Sequence, residues 1–213
     1  MSNFTRKDVE IISKDTLFSG YAHLYGYQLR HRKFSGETSP AIHREVLDRG
    51  NSVVCLPYDP IRDEVVLVEQ FRPGAYAAGV EKCWLTEAVA GIVKKGEILE
   101  DVAVRECLEE TGCNISQLTL MGNFMPSAGG SSELCFIFVG RCDSSYVSGC
   151  HGLEHESEDI RTLTLPFKEA YGLAKDGKFV SLPLVCALFF LASQKRDLRR
   201  LWSDSADADY SLT

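Results

Sequence analysis

Apolar and polar positions along the chain fall into three kinds of pattern, and each predicts a different element. Extended, partly alternating stretches occupy the first fifty residues: Val9–Ile12, then Tyr21–Arg30, then Ala41–Leu47, which reads as a small β extension. Two β-branched-rich runs follow, 52–57 and 64–71, joined by Tyr58-Asp59-Pro60-Ile61-Arg62-Asp63. Asp-Pro favours a turn, so the pair is expected to form a hairpin. Residues 83–90, 117–125 and 134–141 read as three further strands. Helical spacing appears over 98–111, with Gly112 placed as a C-terminal stop, and again over 166–176 and 181–195, where Pro183 falls in a first turn.

Between residues 144 and 159 the chain is polar and acidic for longer than a plain connection needs, so this stretch is expected to be either functional or disordered, and loops of that length often carry function. The acidic end, 203–213, is expected to be a frayed, flexible tail. Strands, one helix, more strands and then C-terminal helices predict an α/β fold of the mixed sandwich kind rather than a doubly wound sheet. The expected organisation is an extension over 1–50, a main domain over 51–202 and the tail.

Composition narrows the function. With 213 residues, 45% of them hydrophobic and 25% charged, the chain is long enough for a sizeable core. Its 23 Lys plus Arg against 30 Asp plus Glu give a net charge of −7, which repels polyanions and anionic lipid. Nucleic acid and membrane are therefore not expected as partners. The most apolar run, 182–192, is broken by Pro183 and is far shorter than the roughly 20 residues of a membrane span. The first fifteen residues lack the apolar core of a signal peptide, so a cytoplasmic location is expected. None of the eight cysteines shows C-x2-C or C-x4-C spacing, and several lie in apolar runs, so eight free thiols are expected.

The chemistry concentrates in one segment, GIVKKGEILEDVAVRECLEETGC, from Gly91. On a helix, Glu106 and Glu110 lie about 40° apart, while Val104 and Leu108 point the other way and are expected to anchor that side to a core. Like charges at i, i+4 destabilise a helix, and Arg105 pairs with Glu109 at the same spacing. Three glutamates within five residues ask for a neutralising partner. A hard divalent cation such as Mg²⁺ suits them, because it takes oxygen ligands while keeping waters and substrate phosphates in its shell.

Gly91, Glu97, Arg105, Glu106, Glu109, Glu110 and Gly112 occupy every fixed position of the Nudix box, G-x5-E-x7-R-E-U-x-E-E-x-G-U, and the segment resembles that family. Its two bulky aliphatic positions hold Cys107 and Cys113, which pack as small hydrophobes. The resemblance implies a Nudix-type α/β/α sandwich of mixed sheets. It also implies hydrolysis of a nucleoside diphosphate linked to another group, with more than one Mg²⁺ per site and Mn²⁺ as a substitute. Glu106, Glu110 and the backbone carbonyl of Ala90 would be metal ligands, with Glu97, Arg105 and Glu109 bracing the loop and helix or assisting at the edge.

Beyond the box, the chain is similar to the bacterial ADP-ribose pyrophosphatase branch. The matching segments are DVEII at 8–12, RHR at 30–32, Arg44-Glu45, DPIRDEVVLVEQFR ending at Arg72, SAGGSSE at 127–133 and HGLEHESEDIR at 151–161. That likeness implies hydrolysis of ADP-ribose to AMP and ribose 5-phosphate by a homodimer that exchanges N-terminal strands. It assigns Tyr21 to stacking on adenine, Arg44 and Arg72 to the anionic substrate, and Glu133 to ribose or loop contacts. Glu156 becomes the general base and Glu158 a further metal ligand, with His155 as a rival base on its pKa alone. Where the branch has proline the chain has Ala128, so a hydrolase of another nucleoside diphosphate sugar, such as GDP-mannose, stands as the alternative. The reading from a different class is a non-catalytic nucleotide-binding module.

Overall fold

The computed structural model describes residues 2–153 and 157–209. It divides the chain into two compact units, Met1–Asn51 with Met125–Leu134, and Ser52–Phe124 with Cys135–Thr213.

The first unit is a three-stranded antiparallel sheet of β1 (Val9–Ser19), β2 (His23–His31) and β3 (Ile42–Asp48), with β2 in the middle and a 3-10 turn over Arg6–Asp8 leading in. β1 runs well past the expected Ile12, because its polar residues 13–16 still pair with Gln28 to Tyr25 of β2. Residues 125–134 join this unit from far along the chain. The Leu47 amide donates to the Gly130 carbonyl, and the Ser132 amide to the Leu47 carbonyl, at 2.9 and 3.0 Å.

The second unit is built on an eight-stranded sheet. Its strands are β4 (Asn51–Asp59), β5 (Glu64–Phe71), β6 (Trp84–Glu87), β7 (Val89–Val93), β8 (Gln117–Phe124), β9 (Cys135–Arg141), β10 (Cys150–His151) and β11 (Ile160–Pro166). The main path runs β10-β11-β5-β4-β9-β8, with β6 on β5 and β7 on β4. The expected hairpin of β4 and β5 forms, but its strands pair only at Tyr58 with Val65 and Asp59 with Glu64. Beyond that point β5 takes β6 and β4 takes β7, so the chain from Trp84 to Val93 wedges the two strands apart. The single strand expected over 83–90 is two strands broken at Ala88 for the same reason.

Both faces of this sheet are covered, which is why β4 reads as a continuous apolar run rather than an alternating one. Val54, Leu56 and Tyr58 pack on the side of α3 (Phe167–Lys175) and α4 (Leu182–Asp209), with Leu184, Leu188 and Leu191. Val53 and Cys55 face the opposite side with α2 (Leu99–Thr111). The architecture is thus the expected mixed α/β sandwich. Helix α4 continues to Asp209, well past the expected end at residue 195 and into the segment expected to be frayed. Pro73 opens a short helix, α1 (Pro73–Ala77), that apolar periodicity is too brief to reveal. Strand β11 follows the acidic loop and pairs with β5 from Arg161–Glu69 to Pro166–Glu64. All eight cysteines are free thiols.

Helix α2 corrects one expectation. Val104 and Leu108 are 39% and 51% exposed, whereas Ala103 and Cys107 are fully buried. Ala103, Cys107 and Glu110 lie within about 60° of helical arc, and the small pair lets the helix approach the sheet closely. The glutamates therefore flank the buried face, and the aliphatic pair looks outward. The helix stops at Gly112 in the left-handed conformation, φ 67°, with its amide donating to the Leu108 carbonyl at 2.9 Å. Gly112→Ala forces an L side chain into that conformation and is expected to lower unfolding stability by about 1–2 kcal/mol. Urea denaturation checks this; an unchanged midpoint would contradict the cap's role.

Candidate active site

The end of β7 and the helix that follows it bring the box residues together. Gly91 lies under the Glu106 side chain so closely that a Cβ added there would sit 2.0 Å from Glu106 Oε1 and 2.4 Å from its Cγ. Only glycine leaves room for that carboxylate. Beside it, the Ala90 amide donates to Glu110 Oε2 at 3.4 Å, so within the chain it is the Ala90 N–H that meets Glu110.

Arg105 is the hub of the remaining carboxylates. Its Nη1 lies 2.9 Å from both Glu106 Oε1 and Glu109 Oε2, and its Nη2 lies 3.8 Å from Glu97 Oε1. Glu97 also accepts from the Lys94 amide at 2.7 Å, which tightens the turn before the helix. Glu97, Arg105 and Glu109 thus brace the loop and helix.

Glu110 differs from them. Its residue is 3% exposed, and burial, the Glu106 charge and the Glu158 charge push its pKa up to about 8, against the Ala90 amide and the Arg72 charge. Burial is also the main reason Glu106 rises to about 6; the charges of Glu109 and Glu158 add to it, and Arg105 opposes it. Ionising both carboxylates is therefore resisted by burial and by each other more than the surrounding cations offset. Sequence spacing had placed Glu106 and Glu110 together. The Glu158 charge acts on both, which places Glu158 in the same field.

Arg72 belongs to this neighbourhood as well, since its charge acts on Glu110. It lies between the last residue of β5 and the first of α1, and its Nε donates to Glu87 Oε2 at 2.6 Å. Sequence reasoning missed Glu87. A lone acidic residue in the otherwise apolar end of a strand, just ahead of Ala90 and Gly91, was the available signal.

The segment carrying Glu158 is tied to the same helix. The Gly152 amide donates to the Glu109 carbonyl at 3.4 Å, and Thr162 Oγ1 donates to the Glu110 carbonyl at 3.4 Å. Glu158 itself folds back on Leu153, whose amide donates to its Oε2 at 3.1 Å. Glu156 and His155, the two expected bases, lie outside the described residues.

The remaining candidates are in the first unit. Tyr21 is 87% exposed, and Arg44 Nη1 donates to the His43 carbonyl at 2.7 Å. Glu133 is buried, and both its oxygens accept from Arg49, at 2.8 and 2.9 Å. The glutamate is thus held within the segment that follows Gly129-Gly130.

Among the described residues, no three His, Cys, Asp or Glu side chains close on one point as a cage. The donor set is all oxygen and short of cations, with a nearly buried carboxylate at its centre. Those properties fit a hard divalent ion that keeps open positions, and do not fit a tetrahedral zinc centre.

Comparisons with known proteins agree with this geometry. The NUDIX domain model matches residues 48–188. The chain is 42% identical over 200 residues to "ADP-ribose pyrophosphatase" of Escherichia coli (strain K12), covering 94% of this chain and 95% of that one. It is 36% identical over 207 residues to the protein of the same name from Haemophilus influenzae, covering 96% and 95%. It is also 36% identical over 150 residues to "GDP-mannose pyrophosphatase" of Salmonella arizonae, covering 70% and 76%. A solved structure, "Crystal structure of ADP compounds hydrolase", shares the fold with a TM-score of 0.67 at 20% identity, covering 90% of this chain and 97% of that one. By the box geometry and the match across most of its length, the chain belongs to the NUDIX domain family.

Proposed function

We propose that the chain is an ADP-ribose diphosphatase, using Mg²⁺ or Mn²⁺ to hydrolyse the diphosphate of ADP-ribose to AMP and ribose 5-phosphate. The observation that carries this reading is the buried Glu110 carboxylate in the field of Glu106 and Glu158, a carboxylate set that a divalent cation would neutralise while leaving open positions for a diphosphate. Relatives called ADP-ribose pyrophosphatase match 94–96% of the chain, whereas the GDP-mannose pyrophosphatase relative matches 70%. The presence of every box carboxylate favours catalysis over a silent binding module.

In the proposed mechanism Glu106, Glu110, Glu158 and the Ala90 carbonyl would hold the metal, more than one ion per site. Once bound, it would neutralise phosphate charge and lower the pKa of water. Arg105 keeps Glu106 and Glu109 in place, and Glu97 holds the turn. Glu156 takes a proton from the attacking water, as a carboxylate kept ionised by nearby cations can. Arg72 receives phosphate oxygens, and a guanidinium suits that role because its planar fork donates paired bonds. Tyr21 offers its ring to adenine and Arg44 its charge to the substrate, while Glu133 braces the GGSSE segment.

A homodimer with exchanged N-terminal strands accounts for the exposed apolar residues of β1, Ile11, Ile12, Leu17 and Phe18. Eight free thiols favour a reducing, cytoplasmic compartment. Among the described residues, no helix is long and apolar enough to cross a membrane.

Three outcomes test the proposal. AMP release from ADP-ribose in Mg²⁺ is expected to fall at least about 10–100-fold in Glu110→Gln, the scale that already attends the loss of groups around a metal. Glu156→Gln should lose about 100-fold or more, the scale of a general base; turnover within threefold of wild type in either variant would remove its assigned role. A panel of nucleotide sugars assayed alongside separates ADP-ribose from GDP-mannose as substrate.

The raised carboxylates also set a pH dependence. Because Glu106 and Glu110 bind protons more tightly folded than unfolded, their contribution is complete below an ordinary glutamate pKa of about 4.3 and is lost as pH rises through about 6 and about 8. In chelator, thermal stability should therefore fall across that window more steeply in wild type than in Glu110→Gln, and Mg²⁺ should flatten the wild-type decline. Equal slopes in both proteins would contradict the raised Glu110. Finally, deleting residues 1–50 should abolish both dimerisation and activity; an active monomer, seen by sedimentation and assay, would refute the exchange.

A further inference from the structure

We propose that Gly152 is a positioning residue for the hydrolysis, the pivot that places Glu158 beside Glu106 and Glu110. The inference deepens the reading of Glu158 as a metal ligand and rests on it. Gly152 touches no reacting atom; it acts through the shape of the chain around Glu158.

Three observations meet at this residue. Its backbone adopts φ 103°, a conformation that L side chains rarely take. A Cβ built there would lie 2.8 Å from the Glu158 Cβ, 3.1 Å from the Glu158 carbonyl oxygen and 3.2 Å from its carbonyl carbon. Two of those three are backbone atoms, which cannot swing aside as a flexible side chain would. Its amide donates to the Glu109 carbonyl, in the last turn of the helix that carries the box glutamates.

The surroundings show what the close approach achieves. Strands β10 and β11 pair through Cys150–Arg161 and His151–Ile160, with the acidic segment between them. The hairpin is fastened to α2 on both sides, by Gly152 to the Glu109 carbonyl and by Thr162 to the Glu110 carbonyl. Across its mouth, the Glu158 amide donates to the Leu153 carbonyl at 3.3 Å, and the Leu153 amide donates to Glu158 Oε2 at 3.1 Å. That reciprocal pair closes only if residue 158 comes back against residue 152. The absence of a side chain at 152 therefore sets the distance between Glu158 and the α2 carboxylates. Ser157, at φ 58°, supplies the reversal on the other side.

Gly149 provides an internal control. It has nearly the same backbone conformation, φ 105°, yet a Cβ there would meet only His151 Nε2, at 3.8 Å. Alanine at 149 carries the conformational strain without the contact with Glu158.

The test measures kcat, KM and the Mg²⁺ concentration for half-maximal rate with ADP-ribose in Gly152→Ala, Gly149→Ala, Glu158→Ala and the Gly152→Ala/Glu158→Ala double variant. Misplacing a group by about 1 Å can cost up to about 100-fold, so Gly152→Ala should lower kcat at least about tenfold and raise the Mg²⁺ requirement, with KM changed less than about threefold. Gly149→Ala should stay within about threefold of wild type, and the double variant should be no slower than Glu158→Ala, because both changes act through one group.

Gly152→Ala within threefold of wild type, or equal losses at 149 and 152, would overturn the inference, as would losses that multiply in the double variant. A silent Glu158→Ala would instead remove the ligand assignment on which the inference stands. If Gly152→Ala does not fold, Glu158→Gly in its background removes the atom met at 2.8 Å but not the two backbone contacts, so a melting transition should return below that of Glu158→Gly alone. A double variant that melts with Glu158→Gly alone, or not at all, would overturn the inference.

Discussion

A carboxylate taken out of water next to another carboxylate is the constraint on which this site depends. Burial alone favours the neutral form of Glu110, and the charges of Glu106 and Glu158 push the same way. Folding the chain this way leaves a deficit of positive charge where α2 meets β7. Gly91 gives up a side chain so that Glu106 can lie over the backbone, and Arg105 spends its guanidinium on Glu106, Glu109 and Glu97. Neither reaches Glu110, whose nearest help is a long bond from the Ala90 amide and the field of Arg72. An apolar residue at 110 would stabilise the fold with less strain, so the retained charge points to a cation supplied from solution.

The sandwich exists, in this view, to hold that charge still. Helix α2 sits on the sheet through Ala103 and Cys107, residues small enough to bring the helix backbone close and to carry Glu106 and Glu110 down beside the end of β7. The wedge of β6 and β7 between β4 and β5 sets Ala90 and Gly91 against that helix and Glu87 against Arg72. On the other face, α3 and α4 contribute only packing, together with an ion-paired clamp in which Lys195 and Arg199 grip Asp63 of the β4–β5 turn. Chemistry and support thus occupy opposite faces of one sheet.

Much of this was legible in the chain because spacing on a helix is rigid. Seven fixed positions between Gly91 and Gly112 determine which residues share a face, and Gly112 does end α2 in the left-handed conformation. Strand β5 was readable to its last residue for a related reason, since its apolar run is bounded by a turn and by Arg72-Pro73. Local pattern could not say that β4 would find its main partner in β9, some eighty residues away, nor that β6 and β7 would part the hairpin. Nor did periodicity choose the buried face of α2. Val104 and Leu108 look like anchors by hydrophobicity, but close approach to a sheet selects the small residues Ala103 and Cys107. Glu87 was missed because it acts through Arg72, on another strand end, and Gly152 because its positive φ and the close approach of the Glu158 backbone are not marked by any residue pattern.

The central claim is that Glu110 holds a proton at neutral pH until a divalent cation displaces it. Calorimetric titration with Mg²⁺ at pH 7, in two buffers of different ionisation enthalpy, counts the protons released on binding. With Glu110 near 8 and Glu106 near 6, close to about one proton per chain should leave the wild-type protein, and almost none should leave Glu110→Gln. Mg²⁺ binding to the wild-type protein with no proton released, or with the same release in Glu110→Gln, would contradict the account.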